Sequence, residues 1–236
     1  MTWPTLALMS AVVMVAAFVQ GSTGFGFALI VAPMLGLFAP SLMPACLLLL
    51  MLPLNFLVAW RERRALDVPS SLWITLGRIV GTAGGLALML VLSMRQLNAL
   101  TGLATIVAAS LTLVLPAFTP ARRALMGAGL VTGVTETTTG IGGPPLALVY
   151  QHQPAAVMRS TLAACFLIGE MLSLCLLWAT GRTEWAHVAG AIQLVPALMA
   201  GATASKLAHV HLNPRGLRLF VVAFSITSGA VLLWRA

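Results

Sequence analysis

Two clusters of glycine with serine or threonine contain the residue types in this chain that could bind a ligand. They are Gln20-Gly21-Ser22-Thr23-Gly24-Phe25-Gly26 and Glu136-Thr137-Thr138-Thr139-Gly140-Ile141-Gly142-Gly143-Pro144-Pro145. Glycine and proline disfavour a continuous helix, and a helix end at such a break has unpaired backbone N–H groups and a positive dipole end. Glycine lets an oxyanion approach the backbone closely, and the hydroxyl groups add uncharged donors. The clusters therefore predict an anion site, although small residues also let membrane helices pack closely.

Three charged side chains in or beside apolar segments extend this prediction. Arg78 lies about eight residues into the segment that begins near Ser70, where it could pair with an anion or extend to the membrane surface. Glu170 lies in the middle of another apolar segment, and Glu136 opens the second cluster. Both carboxyl groups are candidates for proton coupling or for pairing with Arg78, and a structural hydrogen bond between helices is the alternative.

The predicted site residues follow from these clusters and charges. The substrate-binding candidates are Ser22, Thr23, Gly24, Gly26, Arg78, Thr137, Thr138, Thr139, Gly140, Gly142 and Gly143. The proton-coupling candidates are Glu136 and Glu170. We expect no catalytic residue, metal site or cofactor, because the three cysteines lie in apolar runs without a ligand pattern and no P-loop is present.

The composition places these residues in a membrane protein. Of the 236 residues, 60% are hydrophobic and 8% are charged, and the mean hydropathy is +1.01. A soluble domain carries about 25% charged residues, so lipid must cover most of this surface. The net charge of +8 could suggest nucleic acid, but the basic residues lie in short loops between apolar segments, which membrane topology explains better.

The apolar segments differ in length in a regular order. Six are long enough to span a membrane, near residues 42–60, 70–93, 97–118, 160–180, 185–208 and 215–234. Two shorter pairs flank the clusters, namely 3–20 with 24–39 and 124–135 with 140–150. The expected fold is an all-α polytopic membrane protein. In each half a short-helix hairpin, broken or re-entrant, precedes three full transmembrane helices.

The two halves of the chain indicate an internal duplication. Gly24 matches Gly140 at an offset of 116 residues, and Cys46 matches Cys165 at an offset of 119. We therefore predict one transporter domain, residues 1–236, made of repeat one (about 1–119) and repeat two (about 120–236). Each half crosses the membrane an odd number of times, so the second repeat is inverted, as in many secondary transporters.

The basic residues predict an orientation. If the loop after Trp60 is cytoplasmic, nine basic residues lie on that side and three on the other, which satisfies the positive-inside rule. The nine are Arg61, Arg63, Arg64, Arg122, Arg123, Arg159, Lys206, Arg215 and Arg218. Both termini are then expected outside the cytoplasm.

The sequence resembles the TauE/SafE sulfite-exporter family, also called the toluenesulfonate uptake permease family. The resemblance rests on Gly21–Gly26 with Pro33, on Thr139–Pro145, and on Pro196 with Gly201 in a late segment. It covers essentially the whole chain and implies transport of sulfite, sulfonates, sulfoacetate or related anions across a bacterial inner membrane. With the orientation predicted from the basic residues, both termini are then periplasmic. The two motifs differ at Phe27 and Gly143, so the two half-sites are not equivalent.

The leading hypothesis is a secondary transporter of small sulfur-containing or organic anions, with proton coupling as a further hypothesis. An anion channel with the same glycine-lined path is one alternative. An intramembrane enzyme is the alternative from a different class, although the sequence offers neither a metal cluster nor a Ser-His pair to support it. The expected partners are a small anionic substrate and the lipid bilayer, without nucleic acid, and a homodimer is compatible with the apolar faces.

Overall fold

The computed structural model describes residues 3–24, 26–114, 121–150, 153–208 and 214–235, which form ten α-helices and no strand. The helices are α1 Trp3–Thr23, α2 Phe27–Phe38, α3 Ala45–Arg61, α4 Val68–Val91, α5 Met94–Val114, α6 Arg122–Thr139, α7 Gly143–Tyr150, α8 Ala155–Ala179, α9 Trp185–Ala208 and α10 Pro214–Arg235. The predicted all-helical class is confirmed. The boundary between the halves near residue 119 and the side chains of Lys206, Arg215 and Arg218 lie outside what is described.

The described helices make this a multi-pass membrane protein. Four of them, α1, α4, α8 and α9, are long and apolar enough to cross a membrane. On α4 the exposed side chains include Leu72, Ile79 and Val80, whereas the polar Arg78 and Thr82 are buried. This inside-out distribution is stable only where lipid replaces water around the protein.

The chain leaves the helical conformation between α1 and α2, which we call the first break, and between α6 and α7, which we call the second break. Both breaks are shorter than the sequence predicted. Helix α1 continues to Thr23 and α6 continues to Thr139, so most of the Ser/Thr cluster is helical. The reason is local: the hydroxyl of Thr23 donates to the Val19 carbonyl and that of Thr139 donates to the Thr135 carbonyl, bonds that a helix accommodates. The expectation of a half-length first helix is wrong, because α1 has 21 residues and is itself a candidate membrane span.

A glycine in the left-handed conformation ends the helix before each break. Gly24 has φ 89° and Gly140 has φ 76°. The N–H of Gly24 donates to the Gln20 carbonyl at 2.7 Å, and the N–H of Gly140 donates to the Glu136 carbonyl at 2.8 Å. Only glycine adopts this conformation without strain, so α1 and α6 end in the same way, at glycines 116 residues apart.

Close packing of α4 on α6 depends on glycine. A Cβ atom at Gly81 would overlap the Leu130 carbonyl, and one at Gly133 would overlap the Arg78 carbonyl. Gly129 of α6 lies against Ile74, and Gly85 of α4 lies against Val134, so residue numbers rise together along the contact and the two helices run in the same direction. Helix α9 packs on α1 in the same parallel sense, with Gly201 against the backbone of Met14 and Gly21 against Ser205.

Substituting Gly81 should destabilise this packing. A methyl group in Gly81→Ala must push α6 away, and overpacking of this kind costs about 1–3 kcal/mol. Gly84→Ala on the same helix is the matched control, because its Cβ would meet only Val134 Cγ2 at an ordinary 3.6 Å. Thermal unfolding of the purified protein in detergent should show a lower midpoint for Gly81→Ala alone. Equal midpoints for the two variants would contradict the proposed contact.

Candidate functional site

Arg78 is a buried cation in the middle of the bundle. Only 1% of the residue is exposed, so the alternative that it extends to the membrane surface is wrong. Its guanidinium forms an ion pair with Glu136 of α6 and lies 5.5 Å from the ring centroid of Phe166 on α8. It also interacts electrostatically with Glu170, which is fully buried on α8. We call Arg78, Glu136 and Glu170 the charged triad.

A glycine makes room for this cation. A Cβ atom at Gly169, next to Glu170, would overlap the guanidinium of Arg78. The planar guanidinium therefore rests directly on the backbone of α8, a position that no other residue at 169 would allow without moving Arg78.

The variant Gly169→Ala should reduce transport by displacing Arg78. A shift of about 1 Å in a binding group can lower a rate by about 100-fold, so we expect a loss of 10- to 100-fold. Gly127→Ala in α6 is the control, because a Cβ atom there would meet no other atom within 4 Å. Initial transport rates in proteoliposomes, normalised to inserted protein, measure the effect. Equal rates for the two variants would show that the exact position of Arg78 is unimportant.

The triad retains unused hydrogen-bonding capacity. Among the described residues, Nε and Nη1 of Arg78, Oε1 of Glu136 and Oε2 of Glu170 are buried without a hydrogen-bond partner. Leaving such groups unpaired costs free energy, most of all for charged groups. The free guanidinium donors are suited to an additional oxyanion, since arginine binds planar or tetrahedral oxyanions through several N–H groups.

The charge of the triad depends on protons. One guanidinium and two ionised carboxylates carry a net charge of −1, whereas one bound proton makes the group neutral. An isolated net charge in a membrane interior is costly. An anion would add further negative charge, so it is accommodated best when a carboxyl group is protonated.

A chain of buried hydrogen bonds joins the triad to the first break. Asn55 Nδ2 of α3 donates to Glu170 Oε1 at 2.6 Å, and Gln20 Nε2 of α1 donates to Asn55 Oδ1 at 3.2 Å. Gln20 Oε1 in turn accepts from the N–H of Phe27, the first residue of α2, at 3.0 Å. The two breaks are thus connected through side chains: Gln20 at the first and Glu136 at the second.

The second break adjoins the triad directly. A Cβ atom at Gly142 would approach Glu136 Oε1 to 2.9 Å, so this glycine lies against the carboxyl group. Thr132 donates to the Gly142 carbonyl at 3.2 Å, which fixes the backbone beyond the break. The hydroxyl groups of Thr137 and Ser173 lie 2.9 Å apart and tie α6 to α8.

The predicted hydroxyl groups are largely engaged by the backbone. Ser22 and Thr23 donate to carbonyls of α1, and Thr138 and Thr139 donate to carbonyls of α6. In the second break, Thr139 Oγ1 also accepts from the N–H of Ile141 at 3.2 Å. Their role in substrate binding remains a prediction, whereas Arg78, Glu136, Glu170 and Gly142 are brought together.

The remaining glycine candidates line the breaks from different sides. Gly24 lies against the side chain of Arg159 and Gly140 against Leu47, since a Cβ atom at either glycine would overlap these groups. A Cβ atom at Gly26 would meet Val19 at 3.2 Å. Gly143 is the first residue of α7. The glycines of the first break are therefore packed against neighbouring side chains rather than against the triad.

An ion pair covers the end of the first break. Arg159, at the start of α8, places Nε 3.0 Å from each carboxylate oxygen of Glu62 in the turn after α3. Because Gly24 packs on Arg159, this pair lies directly at the first break. Nearby, the N–H of Asp67 donates to Thr161 at 3.0 Å, which fixes the start of α4 beside α8.

Neither Gln20 nor Asn55 was predicted as a site residue from the sequence. Asn55 joins α3 to α8, and its partner there is Glu170, a member of the triad. A signal for Gln20 was present: it lies 116 residues before Glu136, the same offset that relates Gly24 to Gly140. At this offset the neutral amide of Gln20 is matched by the carboxyl group of Glu136.

Comparison with known protein families gives a match over nearly the whole chain. The family model described as "Sulfite exporter TauE/SafE" matches residues 9–232, which is nearly the whole chain. No curated protein and no solved structure matches the chain significantly.

Proposed function

Because the chain belongs to the TauE/SafE sulfite exporter family, a family of membrane transporters, we propose that it is a proton-coupled secondary carrier of small sulfur-containing anions. Sulfite, sulfonates and sulfoacetate are the candidate substrates. The observation that carries this proposal is the buried Arg78, which has unused donors, pairs with Glu136 and interacts electrostatically with Glu170. A cation of this kind in a membrane interior indicates a path for ions.

The mechanism follows from competition for Arg78. In the described state Glu136 holds the guanidinium, so a substrate anion must share or replace that carboxylate. Protonation of Glu136 or Glu170 weakens its hold on Arg78 and compensates the charge of the incoming anion. Loading of the anion and binding of a proton therefore favour each other, which is the thermodynamic condition for coupled transport.

We further propose that the two halves are inverted repeats. Helices that correspond in the two halves pack in matching pairs, α4 on α6 and α9 on α1, while α3 packs on α8 and α5 on α10. Helix α1 ends beside Arg159, near the turn from which α4 starts. Since α6 runs parallel to α4, it runs opposite to α1, its counterpart in the first half. This arrangement supports inversion.

The same geometry supports one orientation. Arg61, Arg63 and Arg159 lie at the end of the bundle where α1 ends and α4 begins, and Arg122 stacks over Trp73 near the start of α4. An accumulation of arginine at one end of the helices fits a cytoplasmic face. We propose a bacterial inner membrane with both termini periplasmic.

A two-step experiment tests the proposed function. Purified protein is first heated with sulfite, thiosulfate, sulfoacetate, taurine or simple carboxylates, and a bound substrate should raise the unfolding midpoint. Flux of the stabilising anion into proteoliposomes should then saturate with concentration. A linear, unsaturable flux would favour the channel, consumption of the anion would favour an enzyme, and protection by none of the sulfur-containing anions would contradict the substrate class.

A further inference from the structure

The hydrogen-bond chain between the first break and Glu170 has a fixed polarity. The Phe27 N–H can only donate, so the atom of Gln20 that faces it must be the carbonyl oxygen. The amide nitrogen of Gln20 must then face Asn55 and donate to its oxygen. Asn55 is left with its nitrogen toward Glu170. The orientation of both amides therefore follows from one backbone group.

This polarity assigns different roles to the two oxygens of Glu170. Oε1 receives the Asn55 N–H at 2.6 Å and must act as an acceptor. Oε2 is buried without a hydrogen-bond partner among the described residues. A proton on Oε1 would collide with the Asn55 N–H, so a proton that binds Glu170 must bind Oε2.

We propose that Gln20 and Asn55 are positioning residues that direct proton exchange of Glu170 to Oε2 and connect it to the first break. The importance of this arrangement for transport rests on the proposed proton-coupled function, whereas the titration that tests it needs no transported substrate. The Asn55 N–H stabilises the carboxylate, because a hydrogen bond to the charged form of an acid disfavours protonation. Loss of this donor should make Glu170 bind its proton at higher pH.

The hydrogen-bond chain links anion binding at the first break to proton uptake by Glu170. An anion that takes the Phe27 N–H at the first break must displace Gln20 Oε1, since that N–H has one hydrogen to donate. Gln20 then no longer fixes Asn55, whose N–H can turn away from Glu170 Oε1. Loss of this donor removes a bond that stabilises the carboxylate, so anion binding promotes proton uptake on Oε2, at a distance from Arg78.

Among the residues that the structure describes, few other ionisable groups lie near Glu170. Arg78 faces it from α4 and pairs with Glu136 of α6, and Cys165 lies near Arg78 on α8 itself. The α3 side contributes the neutral Asn55, and Tyr150 of α7 donates instead to Asp67 at the end of the bundle. A change confined to Gln20 or Asn55 therefore leaves the charges around Glu170 unaltered.

Infrared titration of the carboxyl C=O band in liposome-reconstituted protein tests the proposal without any transported anion. The Glu170 band is identified by its loss in Glu170→Gln, and its midpoint is followed between about pH 4 and pH 10. Asn55→Leu should raise the midpoint by about one unit or more, and Gln20→Met should raise it by a smaller amount. Ser173→Ala is the control. It removes the contact of α8 with Thr137, which is not part of the hydrogen-bond chain from Gln20 to Glu170, and should leave the midpoint unchanged.

The outcomes separate this proposal from the proposed function. Unchanged midpoints in both Asn55→Leu and Gln20→Met, or an equal rise in Ser173→Ala, would overturn it even if the protein transports sulfite. A rise in the predicted order would support it even if the substrate class were wrong. If Asn55→Leu fails to fold, Gln20→Met decides the question alone, because it lies two hydrogen bonds from Glu170 and carries no change in charge.

Discussion

Arg78→Met should abolish anion transport, lowering the initial rate by at least about 100-fold. Truncating one member of a buried, hydrogen-bonded charge pair costs about 2–5 kcal/mol in binding, and 2.7 kcal/mol corresponds to a factor of 100. Methionine retains the unbranched apolar stem and has no charge, so the variant removes the cation and keeps the packing of the stem. The measurement is the uptake of the stabilising sulfur anion into proteoliposomes.

A second variant separates transport from folding. Arg78→Met alone leaves Glu136 buried without its cation, which should destabilise the protein by about 3–5 kcal/mol. The double variant Arg78→Met with Glu136→Met replaces the pair by apolar groups, and such replacements are often neutral or stabilising. We expect the double variant to recover the unfolding midpoint but not transport. Recovery of both would show that the pair is only structural.

Glu170→Gln should uncouple transport from protons. The amide keeps the shape of the side chain and its place beside Asn55, but it cannot take up a proton. We expect accumulation of a sulfonate against its gradient to fall at least about tenfold, and the pH dependence of its transport to disappear. A sulfonate is the better substrate here because its acid group stays ionised throughout the pH range.

The control for Glu170→Gln is Glu184→Gln. Glu184 is an exposed carboxylate in the turn before α9, so its substitution changes the net charge equally but leaves the buried groups untouched. Its pH profile should match that of the wild type. A Glu170→Gln variant that retains normal accumulation and a normal pH profile would exclude this carboxyl group from coupling.

Much of the site could be predicted from residue types alone. A charged side chain in an apolar segment needs a partner, which is why Arg78, Glu136 and Glu170 could be singled out before any geometry was known. Glycines at 24 and 140 likewise indicated that the helices are interrupted there, and both do end α-helices. These features depend on local chemistry, so a single sequence carries them.

Other features depend on packing between distant parts of the chain. Thr137 to Thr139 were expected in an irregular segment, but their hydroxyls can bond within or between helices, and only the surrounding helices decide which. The contact of Asn55 with Glu170 joins residues 115 positions apart, and nothing local to either one predicts it. The same holds for Gly169, whose importance arises only from the guanidinium lying on it.

We propose that this chain carries a sulfur-containing anion through the site around Arg78, and a counterflow experiment tests this transport directly. Proteoliposomes are loaded with unlabelled sulfite and diluted into a trace of labelled sulfite, which a carrier exchanges inward against its gradient. We predict transient accumulation of label with the wild-type protein and none with the folded double variant Arg78→Met, Glu136→Met. Absence of accumulation with the wild type, or equal accumulation with both proteins, would contradict the account.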